Sequence, residues 1–178
     1  MWKRFWKWVM KLSGWSIHGN LPTDLCKYII TVAPHTSNWD FLVGVMVRES
    51  MGFKGRFLGK DSLFVWPLGY FFKTMGGIPV NRSASTNMVS KIAKIIKESD
   101  EFILAIAPEG TRKEVKTWKT GFYFIAVEAG IPIVMAAMDY ENKQVSFSDP
   151  YFCTGNMDDD LQNIKSYFYQ ARGFNEVN

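Results

Sequence analysis

Cysteine and histidine are scarce in this chain of 178 residues, which contains two of each. Cys26 and Cys153 lie far apart in the sequence and form no CxxC pair. The pattern therefore predicts neither a disulfide framework nor a zinc site, and two histidines would leave a zinc enzyme short of ligands. We expect no bound metal and a reducing, cytoplasmic setting.

Long apolar runs are also missing. The uncharged stretch 62–72 is far shorter than the ~20 residues that a membrane-spanning helix needs, and it contains Pro67 and Gly69. Four basic residues interrupt the N-terminal segment: Lys3, Arg4, Lys7 and Lys11. Because a signal peptide needs an unbroken apolar region, we expect neither secretion nor a membrane-spanning helix.

The signatures of several common enzyme classes are absent as well. Neither Gly-x-Ser-x-Gly nor His-Glu-x-x-His occurs, so the serine-hydrolase and zinc-protease signatures are lacking. Residues 55–61 (GRFLGKD) partly match a nucleotide phosphate loop. Their Gly-x-x-x-Gly-Lys spacing is one residue short, however, and Asp61 stands where the magnesium-binding Ser or Thr is needed.

Apolar residues are abundant, at 47% of the chain, and aromatic residues make up 16%. This is enough material for the core of one domain. The formal net charge of +4 favours anionic partners. Charge alone does not choose among lipid headgroups, phosphates, an acidic carrier protein and nucleic acid.

Residues 1–13 show the pattern of a cationic amphipathic helix. One broad arc of the helical wheel holds the apolar residues Trp2, Phe5, Trp6, Trp8, Val9, Met10 and Leu12, and the basic residues lie opposite. Tryptophan and lysine suit the boundary between lipid headgroups and acyl chains. We expect residues 1–15 to be an interfacial helix on an anionic membrane surface, peripheral on the inner face of the membrane, and residues 16–178 to be the main domain. A helix packed on its own domain is the alternative.

Beyond this segment, predicted strands alternate with predicted helices. The strands are 28–33, 53–58, 78–80, 102–107, 131–138 and an edge strand at 144–148; the helices are 39–50, 67–75, 87–98, 122–129 and 161–172. Ser37 or Asn38 is the predicted cap of the first of these helices. The pattern predicts a single α/β domain with a largely parallel mixed sheet flanked by helices, and ligands bound where strands end and helices begin.

Two loops at such strand ends hold the candidate site, PHTSNWD at 34–40 and APEGTR at 107–112. Four residues separate His35 from Asp40, which lets the carboxylate fold back under the imidazole. The carboxylate would then hold one ring nitrogen and leave the other facing a substrate, as a general base requires. The alternative is structural: His35 buttresses the helix and Asp40 belongs to its first turn, where acidic residues are common. The spacing alone leaves both interpretations open.

Four segments, HTSNWD, GGIPVNR (76–82), PEGTR (108–112) and AGIPIV (129–134), resemble in order and spacing the four sequence blocks of the glycerolipid acyltransferase family. Lysophosphatidic acid acyltransferases typify this family. The resemblance implies a glycerol-3-phosphate acyltransferase-like fold and an O-acyltransferase of phospholipid biosynthesis. Such an enzyme moves an acyl group from acyl-CoA or acyl carrier protein to a lysophospholipid such as 1-acylglycerol-3-phosphate, with no other cofactor and no nucleic acid partner.

The resemblance also implies roles for individual residues. His35 matches the family's base and Asp40 its orienting partner. Arg82 matches an arginine that grips the phosphate of the acceptor. The substrate-binding block comprises Glu109, Gly110, Thr111 and Arg112, of which Arg112 is a second phosphate contact.

General chemistry supports these implied roles. Arginine presents a planar fork that binds phosphate oxygens in pairs. Gly110 lacks a side chain, which allows its backbone N–H to approach a phosphate or a developing oxyanion closely.

Three flanking residues depart from the family pattern. Pro34 stands where asparagine often precedes the histidine, Ala107 replaces an aromatic residue, and Lys113 stands where serine is frequent. None of these changes removes a reacting group. They leave the acceptor open, with a lyso-aminolipid or a glycolipid as alternatives, and a non-catalytic peripheral lipid-binding module is the competing function.

Overall fold

The computed structural model describes residues 2–80 and 88–177. Its centre is a sheet of seven strands: β1 (Ser16–His18), β2 (Lys27–Ala33), β3 (Gly55–Lys60), β4 (Gly77–Val80), β5 (Phe102–Ile106), β6 (Ile133–Asp139) and β7 (Gln144–Phe147). The order across the sheet is β1-β7-β6-β2-β5-β3-β4. Neighbouring strands are parallel except β6 and β7, which are antiparallel. The predicted mixed, largely parallel sheet is confirmed.

Helices connect the strands and cover the sheet. They are α1 (Trp2–Ser13), α2 (Trp39–Met51), α3 (Leu68–Thr74), α4 (Met88–Glu98), α5 (Gly121–Ala129), α6 (Met157–Ser166) and α7 (Phe174–Val177), with a 3₁₀ turn at Asp61–Phe64. Among the residues described, no helix has the length and apolar character that crossing a bilayer requires.

Both faces of the sheet are buried. Ile29 of β2 and Leu104 of β5 point to the face covered by α4, α5 and α6. Ile30, the next residue of β2, points to the opposite face, which α1 and α2 cover. Because successive side chains of a strand alternate between faces, a strand covered on both sides is apolar throughout. This explains the continuous apolar runs of β2, β5 and β6.

Helix α2 positions the first candidate loop. Val43 and Val47, one turn apart, bury its apolar face. The helix ends at Gly52, whose left-handed φ of 73° lets its N–H donate to the carbonyl of Arg48. At the other end, Ser37 Oγ accepts the N–H of Trp39 at 3.2 Å, whereas Asn38, the alternative predicted cap, makes no side-chain cap bond.

Several predicted boundaries were wrong. The strand predicted at 144–148 is not an edge strand, because the three-residue β1 pairs with its outer side; so short a strand shows no periodicity. Strand β3 lies two residues later than predicted. Helix α6 begins at Met157 and ends at Ser166, rather than spanning 161–172. Apolar periodicity marks the face that is buried, not the residues at which hydrogen bonding starts and stops.

Helix α1 packs on α2 and also exposes aromatic side chains. Met10 is buried in the core, and the indole N–H of Trp2 donates to Glu49 Oε2 on α2 at 2.6 Å. Trp2, Phe5, Trp8 and Leu12 are exposed nonetheless. The helix therefore contacts the rest of the domain and still presents an apolar surface outside it.

Candidate active site

The two candidate loops lie side by side at one edge of the sheet. Strands β2 and β5 are parallel neighbours, with Thr31 opposite Ile106 near their carboxyl ends. His35 comes two residues after β2 ends, and Glu109 comes three residues after β5 ends. Strand order thus brings together residues that are 74 positions apart.

The imidazole of His35 contacts the carboxylate of Asp40. The distance from Nδ1 to Oδ2 is 2.8 Å. Asp40 is buried in the first turn of α2, whereas 23% of the His35 side chain is exposed. If Nδ1 carries the proton of this hydrogen bond, Nε2 is the nitrogen that can accept a proton from a bound molecule. The geometry expected from the spacing of the two residues is present.

Three donors surround the carboxylate of Asp40. Besides the imidazole, the backbone N–H of Ser37 donates to Oδ2 at 2.9 Å, and the hydroxyl of Tyr140 donates to Oδ1 at 2.7 Å. Burial acts to raise the pKa of Asp40, but these hydrogen bonds outweigh it and hold the pKa below its usual value. The group is therefore a carboxylate throughout the neutral pH range.

Glu109 holds the backbone at the histidine. Its two carboxylate oxygens accept the N–H of His35 at 3.2 and 3.0 Å. Burial raises the pKa of Glu109, and the nearby charges of Asp40 and Glu176 raise it further, while the N–H of His35 acts in the opposite direction. Two carboxylates therefore bind the same histidine, one at its ring and one at its main chain, with pKa values displaced in opposite directions.

Two substitutions of Glu109 are expected to distinguish its role as a hydrogen-bond acceptor from the destabilisation that its charge causes. A raised carboxyl pKa means that the ionised form destabilises the fold at neutral pH and that this cost disappears on acidification. Glu109→Gln keeps an acceptor without the charge, so at pH 7 we expect it to be at least as stable as the wild type. Glu109→Ala removes the acceptor and is expected to cost about 1–2 kcal/mol.

Urea unfolding at pH 7 measures both differences. The difference between Glu109→Gln and the wild type should disappear below about pH 4, where glutamate is protonated in both states. Equal stability of the alanine and glutamine variants at pH 7 would contradict the acceptor role.

The structure also places the other predicted site residues that it describes. Gly110 adopts a left-handed φ of 65°, and an added Cβ would lie 2.8 Å from Cδ of Lys119, so a side chain is disfavoured there. Its N–H donates to the carbonyl of Ala107 at 3.1 Å. The turn thus already provides one partner for this N–H, and its approach to an anion stays a prediction.

The remaining predicted contacts lie nearby or outside the described residues. The hydroxyl of Thr111 accepts the N–H of Lys113 at 3.3 Å, which shapes the turn. Arg112 is exposed in the same loop. Arg82 lies outside the described residues; the strand before it, β4, ends at Val80 at the same edge of the sheet.

Sequence reasoning missed Tyr140. This residue directly follows β6, which is the other parallel neighbour of β2. Its hydroxyl reaches Asp40 across 100 positions of sequence. The signal that could have found it is the one that identified the other loops, namely a polar residue immediately after a buried strand.

A cleft of about 950 Å³ opens beside Tyr140. Its lining includes the apolar residues Trp15, Trp39, Leu42, Val43 and Met46 and the charged residues Glu141, Lys143, Arg172 and Glu176. Most of these apolar residues belong to α2, the helix that carries Asp40. The cleft therefore offers an apolar surface next to Tyr140, the hydrogen-bond partner of Asp40. Within residues 2–80 and 88–177, no group of three or more His, Cys, Asp or Glu side chains could hold a metal ion.

Comparison with known families identifies the class of protein. The model of the family named Acyltransferase matches residues 16–139, which is more than half of the chain. The chain belongs to the acyltransferase family. Both candidate loops lie within the matched residues, and Asp139, the last of them, immediately precedes Tyr140.

Individual relatives carry names within this family. The chain is 36% identical to mouse 1-acyl-sn-glycerol-3-phosphate acyltransferase epsilon over 102 residues, covering 54% of this chain and 28% of that protein. It is 25% identical to the 1-acyl-sn-glycerol-3-phosphate acyltransferase of Salmonella typhimurium over 145 residues, covering 77% of this chain and 58% of that protein. The chain thus spans less than two thirds of the length of either curated relative.

A crystal structure supports the fold. The 1-acyl-sn-glycerophosphate acyltransferase of Thermotoga maritima superposes with a TM-score of 0.65 at 17% identity, covering 93% of this chain and 74% of that one. At this identity the likeness concerns the fold alone.

Proposed function

We propose that this protein transfers an acyl group from a thioester, acyl-CoA or acyl carrier protein, to the free hydroxyl of 1-acylglycerol-3-phosphate or a similar lysophospholipid, with His35 as the general base. The observation that carries the proposal is the 2.8 Å contact between His35 Nδ1 and buried Asp40 at the carboxyl end of β2. The names of the relatives supply the substrate class.

The proposed reaction is a direct transfer. Nε2 of His35 takes the proton of the acceptor hydroxyl as the oxygen bonds to the thioester carbonyl carbon. The tetrahedral intermediate then collapses, the carbon–sulfur bond breaks, and the imidazolium returns its proton to the departing thiolate. The carboxylate of Asp40 stabilises the imidazolium between these steps.

Separate groups suit the two substrates. Arg82 and Arg112 are the residues we assign to the acceptor phosphate, because guanidinium groups bind phosphate oxygens in pairs. The cleft lined by Trp39, Leu42 and Tyr140 offers an apolar surface for the acyl chain of the donor.

A turnover experiment tests the proposal. Purified protein is incubated with acyl-CoA or acyl carrier protein thioesters and a panel of lysophospholipids, lyso-aminolipids and glycolipids, and thiol release is followed. Release that depends on a phosphate-bearing acceptor is the expected result. Lipid binding without acceptor-dependent release would instead support the competing function, a non-catalytic lipid-binding module.

We propose that the protein acts at a membrane surface, because its proposed substrates are lipids, and that it binds there peripherally on the cytoplasmic side. Helix α1 presents exposed tryptophans together with exposed Lys3, Arg4, Lys7 and Lys11. A second exposed apolar segment follows β3, where the indole of Trp66 is 88% exposed. Because β3 is parallel to β5, this segment begins at the same edge of the sheet as the candidate site. The α1 surface suits anionic headgroups above an apolar layer, and the segment after β3 offers further apolar contact.

Substitution of exposed α1 side chains is expected to weaken membrane binding. Trp8 and Leu12 lie one turn apart, are 58% and 66% exposed, and are the residues we expect to enter the lipid. Trp8→Gln combined with Leu12→Gln should lower binding to phosphatidylglycerol-containing vesicles about 10-fold or more in a sedimentation assay.

Tyr169→Gln is the matched control, because Tyr169 is an exposed aromatic residue outside both surfaces. It should leave vesicle binding unchanged. Full binding by the α1 double variant would argue against an interfacial role for this helix.

A further inference from the structure

The two carboxylate oxygens of Asp40 accept hydrogen bonds from different donors. Oδ2 receives Nδ1 of His35 at 2.8 Å and the N–H of Ser37 at 2.9 Å. Oδ1 receives the hydroxyl of Tyr140 at 2.7 Å. A carboxylate with a donor at only one oxygen can rotate about its terminal bond, whereas donors at both oxygens fix its plane.

Two other parts of the chain hold Tyr140 in place. Its backbone N–H donates to the carbonyl of Arg172 at 2.8 Å. The ring packs edge-on against Trp15, with centroids 4.9 Å apart, and against Phe174, with centroids 5.4 Å apart. A residue after α1 and residues near the C-terminus therefore converge on Tyr140, which itself follows β6. Such packing locks the rotamer and aims the hydroxyl at Asp40.

The hydroxyl remains a donor at every pH at which the protein would work. Burial raises the pKa of Tyr140 well above its ordinary value, and the hydrogen bond to Asp40 adds to this effect. The charged and titratable groups around Asp40 are His35 and Tyr140, with Glu109 close enough to interact electrostatically and Glu176 beyond it. Tyr140 is thus the neutral donor that offsets the charge of a buried carboxylate.

We infer that Tyr140 is a positioning residue, whose hydroxyl fixes the carboxylate of Asp40 so that it holds the His35 ring in the orientation that catalysis needs. The inference rests on the proposed role of His35 as the base. It extends the pair to a chain of three side chains, running from Tyr140 through Asp40 to His35.

Tyr140→Phe tests this inference, because phenylalanine keeps the ring contacts and removes only the hydroxyl. Loss of one hydrogen bond to a charged group predicts a fall in kcat of about 10- to 100-fold. KM should change less than about 2-fold, since phenylalanine keeps the ring that lines the cleft and the lost hydroxyl is bonded to Asp40. With one donor fewer, the charge of Asp40 stabilises the imidazolium more strongly. The acidic limb of the kcat/KM profile should therefore move to higher pH, and the Nδ1 proton resonance of His35 should shift.

Tyr151→Phe is the matched control. Tyr151 also donates its hydroxyl to a carboxylate, Oδ1 of Asp160 at 2.6 Å, away from the dyad. This variant should lower the melting temperature but leave the pH profile and the His35 proton resonance unchanged. An exclusively structural role for Tyr140 predicts that Tyr140→Phe behaves in the same way.

The outcomes separate this inference from the proposed function. Full activity of a His35→Ala variant would refute the assignment of His35 as the base, and with it the proposed mechanism. Loss of activity in His35→Ala, combined with an unshifted pH profile and resonance in Tyr140→Phe, would leave the mechanism standing and overturn the role of Tyr140. The chain of three side chains is supported if the pH profile and the His35 proton resonance shift in Tyr140→Phe but not in Tyr151→Phe.

Discussion

In an assay of acceptor-dependent thiol release, the His35→Ala variant is expected to lose a factor of about 10² to 10⁴ in kcat, which is the usual contribution of a general base. The proton of the acceptor hydroxyl would have no side chain to receive it. The fold should survive, because the His35 side chain is partly exposed and its backbone N–H to Glu109 is unaffected by the substitution. Circular dichroism and thermal unfolding check the fold.

The second histidine of the chain provides a matched control. His18 lies in β1, is exposed, and contacts Ser16 Oγ at 3.2 Å. His18→Ala should retain wild-type turnover and pH dependence. Unchanged turnover in His35→Ala would defeat the assignment of the base, whatever the behaviour of the control.

A loss of stability is expected at a second buried carboxylate, Asp160, on the opposite face of the sheet from α2. Its oxygens accept the hydroxyls of Tyr123, Tyr151 and Thr154 and the N–H groups of Thr154 and Gly155. Asp160→Ala leaves these donors without their acceptor in a site where Tyr123 is buried and Tyr151 is partly buried, at a cost of about 3 kcal/mol. For a chain of this size, that cost corresponds to a fall in melting temperature of roughly 6–12 °C.

The pH dependence of stability provides a second test of the role of Asp160. Burial acts to raise the pKa of Asp160, but the surrounding hydrogen bonds outweigh it and hold the pKa below its usual value. A carboxyl group whose pKa is lowered by folding stabilises the fold at pH values above its pKa in the unfolded chain, about 3.9. This stabilisation disappears as the pH falls through the pKa of the group in the folded protein. The stability difference between wild type and Asp160→Ala should therefore narrow below about pH 4.

Asp158→Ala is the control for this loss of stability, because Asp158 occupies the same first turn of α6 and is exposed. It should change stability by less than about 0.5 kcal/mol. Urea unfolding at pH 7 and pH 3 measures both variants. Equal effects of the two substitutions would show that helix charge, rather than the buried hydrogen bonds, accounts for the result.

The sequence predicts those contacts of the candidate site that form between residues close together in the chain. Only four residues separate His35 from Asp40, so the start of one helix determines their geometry. The resemblance of residues 108–112 to a family block assigns Glu109 to the site. It does not indicate that the Glu109 carboxylate accepts the backbone N–H of His35. For Gly110, the sequence showed that a side chain is absent but could not show that Ala107 already accepts its N–H.

The sequence by itself determined the class of the fold and the loops that carry the site. Strand runs, helix periods and the His35–Asp40 spacing each depend on a few consecutive residues, and local conformational preferences govern these. The tertiary structure alone decided the order of the strands and the convergence of Glu109 and Tyr140 on the dyad from 74 and 100 positions away. It also decided which parts of the chain enclose the cleft. Such contacts depend on which strands become neighbours when the core is buried, and no pattern within a single strand or helix specifies that.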